Sequence, residues 1–305
     1  MIDQRLPRRV TVVEVGPRDG LQNESSIVPS STKVAFIEAL ANAGLPVVEI
    51  TAFVSPKWVP QMSDAADVAR AVTRRERTRY LALVPNRTGL ARAIDTGLRE
   101  IAIFAAASET FSRKNINQGI DDSLTAYADV AAEAARSGLR VRGYLSTAFG
   151  CPYEGAVAVE RVVGVAERLI EMGCEEVAVS DTIGVAHPRQ VAEVVGAVSA
   201  RVPLEKIALH FHDTRGTALA NVYAALESGI ATFDSSAGGL GGCPYAPGAA
   251  GNLATEDLIY LLDGLGIETG VSLDGVVDAS SLIAAHIGHP LASRYYQAAR
   301  ATASS

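Results

Sequence analysis

Eight short runs of β-branched and apolar residues, each followed by a longer stretch of helical period, predict an α/β protein whose units close into a (β/α)8 barrel. Three observations carry this expectation. The units alternate strictly, strand then helix, along the chain. Most of the strand runs are too apolar to face water on one side, as expected of parallel strands covered by helices. The turn after the first run, Gly16-Pro17-Arg18-Asp19-Gly20, lacks the glycine spacing that an open dinucleotide-binding sheet places there. A chain of 305 residues is slightly longer than the typical barrel of ~250. The expected organisation is therefore one barrel domain over residues 1–305, with C-terminal helices from about residue 253.

Taken in order, the strand runs are Val10–Val15, Val47–Ala52, Tyr80–Val84, Ile101–Ala105, Val141–Leu145, Val177–Ser180, Ile207–Phe211 and Thr232–Ser235. The first helix is read over Lys33–Ala43, where Val34, Ile37 and Leu40 share one face and Ser31 or Thr32 offers a cap. Val157–Met172 and Val191–Val202 repeat that period, and Gly138 and Gly173 fall where helix C-caps belong.

The composition is globular, with 48% hydrophobic and 20% charged residues. A net charge of −7 argues against nucleic acid or an anionic membrane as partner, though not against a small anionic substrate. No run approaches the ~18 apolar residues that span a bilayer. Arg5, Arg8 and Arg9 precede no apolar targeting stretch, and the last residues carry no recognisable address. Three cysteines, Cys151, Cys174 and Cys243, fit reduced thiols in the cytoplasm better than a disulfide scaffold.

In a barrel, chemistry sits at the C-terminal ends of the strands. Those ends carry Arg18-Asp19, Glu49, Asp181 and His210-Phe211-His212-Asp213, and Cys243 and Asn252 follow the last strand. His210 and His212 share one strand face with origins about 6–7 Å apart, close enough to converge on an ion. Asp213 points to the other face and is expected to position a neighbour. Asp19 alone reads as a turn former; across the mouth from the histidines it supplies a hard oxygen ligand, which favours Mg²⁺ or Mn²⁺. Arg18 reads equally as a surface charge or, ion-paired with Glu49 on the neighbouring strand, as a guanidinium that would stabilise an enolate or carboxylate oxygen. Cys243 lies in Gly238-Gly239-Leu240-Gly241-Gly242-Cys243-Pro244-Tyr245, a glycine-rich stretch that reads as a lid. Cys174 reads as a buried structural thiol, and Cys151 as loop packing.

Val15-Gly16-Pro17-Arg18-Asp19-Gly20-Leu21-Gln22-Asn23-Glu24 resembles the opening of the hydroxymethylglutaryl-CoA lyase family. So do Phe53 through Met62, Lys114-Asn115-Ile116-Asn117, Ser180-Asp181-Thr182-Ile183-Gly184, and the final third from His210 through Asp257, with its Gly251-Asn252-Leu253-Ala254-Thr255-Glu256-Asp257 segment. The resemblance spans nearly the whole chain. It implies a barrel that cleaves 3-hydroxy-3-methylglutaryl-CoA to acetoacetate and acetyl-CoA with Mg²⁺ or Mn²⁺, acting on an acyl-CoA thioester as a homodimer. It implies Asp19, His210, His212 and Asn252 as metal ligands, Arg18 over the substrate carbonyl with Glu49 orienting it, and Cys243 as the loop acid/base. Asp19 or His210 is the candidate base. Gln22, Asn115 and Asp181 are assigned, with Arg18, to substrate binding. Ser25, Ala52 and Arg215 depart from the family's common lysine, serine and aromatic residue, which puts the preferred acyl group in doubt more than the reaction.

Three other readings share parts of this pattern. One is a lyase for a related 3-hydroxy-3-substituted acyl-CoA such as citramalyl-CoA. Another is an acetyl-CoA-condensing synthase, disfavoured because only about 50 residues follow Asn252. The third is a non-catalytic barrel stabilised by metal.

Overall fold

The computed structural model describes residues 6–242 and 251–303. Eight parallel strands close in sequence order: β1 (Thr11–Glu14), β2 (Val47–Ala52), β3 (Arg79–Leu83), β4 (Glu100–Ala106), β5 (Arg140–Ser146), β6 (Glu176–Asp181), β7 (Ile207–Phe211) and β8 (Thr232–Ser235). β8 pairs back onto β1 through Thr11↔Thr232 to Glu14↔Ser235, so the sheet has no open edge. All eight strand runs read from the sequence are strands here, three of them with identical bounds.

The helices are α1 (Ser30–Asn42), α2 (Ala65–Ala71), α3 (Arg87–Asp95), α4 (Glu109–Ile116), α5 (Ile120–Arg136), α6 (Val159–Glu171), α7 (Pro188–Ser199), α8 (Ala218–Glu227), α9 (Thr255–Gly264), α10 (Leu273–Ala284) and α11 (Arg294–Ala303). α1 begins at Ser30, with Pro29 at the N-cap, and so two or three residues earlier than Ser31 or Thr32 as caps implied. Ser30, Ser31 and Thr32, polar residues of the cap-forming kind, are helical instead, and no side chain caps this helix. Lys33 lies inside the helix, buried, with its ammonium on Asp64 at 2.8 Å. Gly138 and Gly173 do terminate their helices, at φ of 72° and 105°. Among the described residues, no helix is long and apolar enough to cross a membrane.

The outer faces of the strands bury Val12, Val48, Ile50, Ile101, Ile103 and Leu209 in one continuous core beneath the helices. Inside the barrel the usual layers of branched aliphatics give way to charge. Arg142 on β5 reaches across to Asp234 on β8 with two hydrogen bonds of 2.7 and 3.2 Å. Two residues further along β5, the Tyr144 hydroxyl donates to Glu49 on β2 at 3.0 Å. The Tyr144 ring stands between two guanidinium groups, 4.9 Å from Arg142 and 5.4 Å from Arg18.

Two buried carboxylates fasten the turn that leaves β8. Glu14 accepts from the amides of Gly16 (2.8 Å) and Ala237 (2.9 Å) and from the Thr255 hydroxyl (2.7 Å). Glu256 accepts from the amide of Gly238 through both oxygens, at 2.9 and 3.0 Å, and from the Ser280 hydroxyl. Burial pushes both carboxyls up from 4.5 to about 7, against the lowering effect of those donors. A carboxyl raised in this way binds its proton more tightly folded than unfolded. The stability tied to that proton is complete below 4.5 and lost as pH rises through about 7. Glu14→Gln keeps two acceptor bonds and can donate to Thr255. It should therefore remove a pH-dependent loss on the order of 3 kcal/mol, read by urea unfolding at pH 5 and pH 8. Identical pH dependence in variant and parent would mean that Glu14 carries no such proton.

Candidate active site

The barrel mouth is built from the ends of β1, β2, β7 and β8. After β1 the chain turns so tightly that the amides of Arg18, Asp19 and Gly20 all converge on the Val15 carbonyl, at 3.1, 2.7 and 3.2 Å. This turn sets Arg18 and Asp19 side by side facing inward. Arg18 grips Glu49 Oε2 through Nε and Nη2, each at 2.7 Å, and donates to Asp19 Oδ1 at 2.6 Å. β2 is irregular at this point, its register slipping between Glu49 and Thr51. Glu49 is completely buried, and its other oxygen, Oε1, has no partner.

His210 lies in the last part of β7 and His212 just beyond it, their ring centroids 5.2 Å apart. Asp19, His210 and His212 each offer a ligand atom, and these atoms lie within 4.8 Å of one another. Asn252 joins them through the backbone. The segment after residue 250 runs back antiparallel to the end of β7, pairing His212 with Asn252 through Asp213 N to Gly251 O (3.1 Å) and Leu253 N to Phe211 O (2.9 Å). Only glycine fits at 251, because a Cβ there would sit 2.0 Å from the Gly239 carbonyl oxygen. The Asn252 amide donates to Asp19 Oδ2 (3.0 Å) and the Leu240 carbonyl (3.1 Å).

The donor set fits a divalent cation. Asn252 Oδ1 and His212 Nδ1 are buried with no hydrogen-bond partner, a costly arrangement that a cation would relieve. His210 Nδ1 is hydrogen-bonded to Asp234 Oδ2 at 3.1 Å, the carboxylate backing that fixes a ligating imidazole. The charges also suit a cation. Burial would raise Asp19, but Arg18 and the two histidines hold it near 2, so it is ionised. Burial and the neighbouring His210 push His212 down to about 4, leaving it neutral. Burial also opposes charge on His210, yet the hydrogen bond and charge of Asp234 outweigh it and raise its pKa above 6.5.

Other residues singled out from the sequence lie around this centre. Asp181 ends β6, fully buried, and accepts from the amides of Val185 (3.0 Å) and Ala186 (2.9 Å), so its carboxylate fastens its own loop. Gln22 is half-buried just past the Arg18-Asp19 turn, and Asn115 is exposed on α4. Asp213 accepts from the amide of Ala218 at the start of α8, a positioning role as expected. Arg215 donates to the carbonyls of Ile183 (3.1 Å) and Gly184 (2.8 Å), tying the loop after β7 to that after β6. Cys174 is buried, its thiol pushed up to about 12, and Cys151 packs against Ser108 (2.9 Å). Cys243 lies outside the described residues. Asp234, Arg142 and Tyr144, which back the site from below, were not singled out from the sequence; the available signal was a charged or hydroxyl-bearing residue within otherwise apolar strands.

Fold and site together define a (β/α)8 barrel whose mouth pairs a cation-ready cluster with a buried, ion-paired arginine. The HMGL-like family model matches residues 9–283, and the chain belongs to that family. It is 50% identical over 291 residues to the hydroxymethylglutaryl-CoA lyase of Bacillus subtilis, covering 95% of this chain and 97% of that one. It is 50% identical over 298 residues to a 3-hydroxy-3-isohexenylglutaryl-CoA/hydroxymethylglutaryl-CoA lyase of Pseudomonas aeruginosa, covering 98% and 99%. The crystal structure of a hydroxymethylglutaryl-CoA lyase from P. aeruginosa superposes with a TM-score of 0.96 at 49% identity, over 98% of this chain and all of that one.

Metal binding requires both imidazoles unprotonated. With His212 near 4, His210 is where protons compete. Apparent Mn²⁺ affinity, followed by the EPR signal of free ion, should fall about tenfold per pH unit below the raised pKa of His210. Asp234→Asn should move the onset to lower pH. An onset that stays fixed in this variant would rule out Asp234 as the group that tunes His210.

Proposed function

We propose that this protein is a divalent-metal-dependent carbon–carbon lyase that cleaves 3-hydroxy-3-methylglutaryl-CoA to acetoacetate and acetyl-CoA. The observation that carries the reading is the convergence of Asp19, His210 and His212 beside the Arg18–Glu49 pair, in a chain half identical to lyases of that name over nearly its full length. Asp19, His210, His212 and Asn252 form the ligand set, and its oxygen donors suit Mg²⁺ or Mn²⁺.

A cation held there would act as a Lewis acid, acidifying the tertiary hydroxyl of the bound thioester. His210 is the stronger candidate to take that proton, since Asp234 raises its basicity whereas Asp19, near 2, holds a proton poorly. With Nδ1 committed to Asp234, Nε2 is the nitrogen left for the site, and its one lone pair would either hold the cation or take the proton, not both at once. Collapse of the alkoxide to the ketone breaks the carbon–carbon bond and expels the enolate of acetyl-CoA. Arg18 receives the charge that develops on the enolate oxygen. Glu49 and Tyr144 fix its plane, so little reorganisation is needed as the charge appears. Cys243 delivers the proton to the enolate carbon, the role the family resemblance assigns to it.

The direct test is to incubate metal-loaded protein with 3-hydroxy-3-methylglutaryl-CoA and measure acetoacetate; no product would sink the assignment. Arg18→Met should lower kcat by about 10²–10³-fold or more while Mn²⁺ still binds, and near-native kcat would remove Arg18 from the enolate role. His212→Ala should lose metal affinity by titration, and unchanged affinity would take it out of the ligand set. Cys243→Ser should slow turnover by about 10²-fold or more with an unchanged unfolding midpoint; native turnover would exclude the thiol.

A further inference from the structure

We infer that the closed end of the barrel, opposite the catalytic mouth, carries a binding site for a small phosphate-class anion. A pocket of ≈ 260 Å³ opens there among the first residues of β3, β4 and β5. Its lining includes Arg74, Arg79, Arg99 and Arg140, with Glu100 as the lining carboxylate. These four arginines come from three separate connections and strand starts, brought together by the register Leu81↔Glu100 and Glu100↔Arg140. The chain as a whole has a net charge of −7, so a concentration of cations here is not a reflection of its composition.

Two of the four guanidinium groups, Arg74 and Arg99, face no carboxylate among the described residues. Arg74 is held by carbonyls alone, donating to Thr96 O (2.7 Å), Ala69 O (3.2 Å) and Gly97 O. Its charge is fixed in place with no carboxylate against it among the described residues. Arg79 approaches Glu100 only to 3.6 Å. Arg140 pairs with Glu175 at 2.7 Å. Arg99 is exposed, and its side chain has no ion pair or hydrogen bond among the described residues, although its carbonyl accepts from the Arg140 amide at 3.0 Å. Four cations therefore face two carboxylates, and one of the cations is immobilised in advance. Arginine's planar fork matches the oxygens of a phosphate, and a held guanidinium gives up little further freedom on binding. The pocket volume accommodates a phosphate or diphosphate group, not an extended polymer. A solvated surface patch would need neither the carbonyl clamp on Arg74 nor a concave shape.

Inorganic phosphate, titrated calorimetrically into the protein in chloride buffer of constant ionic strength, should bind with one equivalent per chain. Arg99→Glu should weaken that binding by at least about tenfold while leaving kcat and the unfolding temperature in chloride unchanged. Arg189→Ala, an exposed arginine on α7 outside the pocket, should bind as the parent does. Heat that matches chloride dilution, or equal phosphate affinity in Arg99→Glu and the parent, would overturn the assignment. Should Arg99→Glu unfold, Arg99→Gln carries the same comparison.

Discussion

Asp234 is wholly buried and shared between two partners, Arg142 across the barrel and His210 beside it. Burial alone would raise its pKa, but Arg142 and His210 reverse this and keep it ionised. Without Arg142, an isolated carboxylate in the barrel centre would take up a proton and lose its hold on the histidine. Without Asp234, Arg142 would be a buried charge left with Glu176 alone. Breaking such an arrangement by removing one member costs about 3–5 kcal/mol, so each charge depends on the other. The orientation and basicity of His210, and with them the cation-ready cluster, rest on it.

A second chain of contacts runs parallel to the first. Tyr144 donates to Glu49, Glu49 holds Arg18, and Arg18 donates to Asp19. The two chains meet at the Tyr144 ring, which both guanidinium groups approach, and again where Asp19 nears His210 and His212. Arg18 thus arrives at the mouth with its geometry already determined by residues on β2 and β5. Its three nitrogens are all engaged, Nε and Nη2 by Glu49 and Nη1 by Asp19, which leaves one further N–H on each Nη. That is the condition under which a cation stabilises a developing anion without first having to reorganise.

The return segment from residue 251 to 255 closes the site from the other side. It pairs with β7 at His212 and with the end of β8 at Ser236, so Asn252 is held by main-chain bonds at both flanks. Glu14 and Glu256 seize successive amides of the turn between them, Ala237 and Gly238. The glycine-rich stretch that follows therefore springs from a rigid root.

Much of this was legible in the sequence because its physical causes are local. Strand runs, helix period and glycine caps depend on neighbours a few residues away, and eight of them in strict alternation leave few topologies open. His210 and His212 share a face because strand residues alternate, so their convergence could be read without coordinates. Asp19, read alone, was an ordinary turn former, and Asn252 an ordinary turn residue. Its place across the mouth from the histidines gave Asp19 weak support as a ligand, and the resemblance strengthened it and added Asn252. The tertiary structure decided the rest, because the rest depends on contacts between distant strands. Asp234 and Arg142 are 92 residues apart, Tyr144 and Glu49 95, and no periodicity relates such pairs. Lys33, read as the first residue of the first helix, lies buried within it on an ion pair to a residue 31 positions away. The sequence by itself determined the barrel and the histidine pair, since both follow from backbone geometry. The partners that make those histidines chemically useful are fixed only when the barrel closes and places opposite charges across its axis.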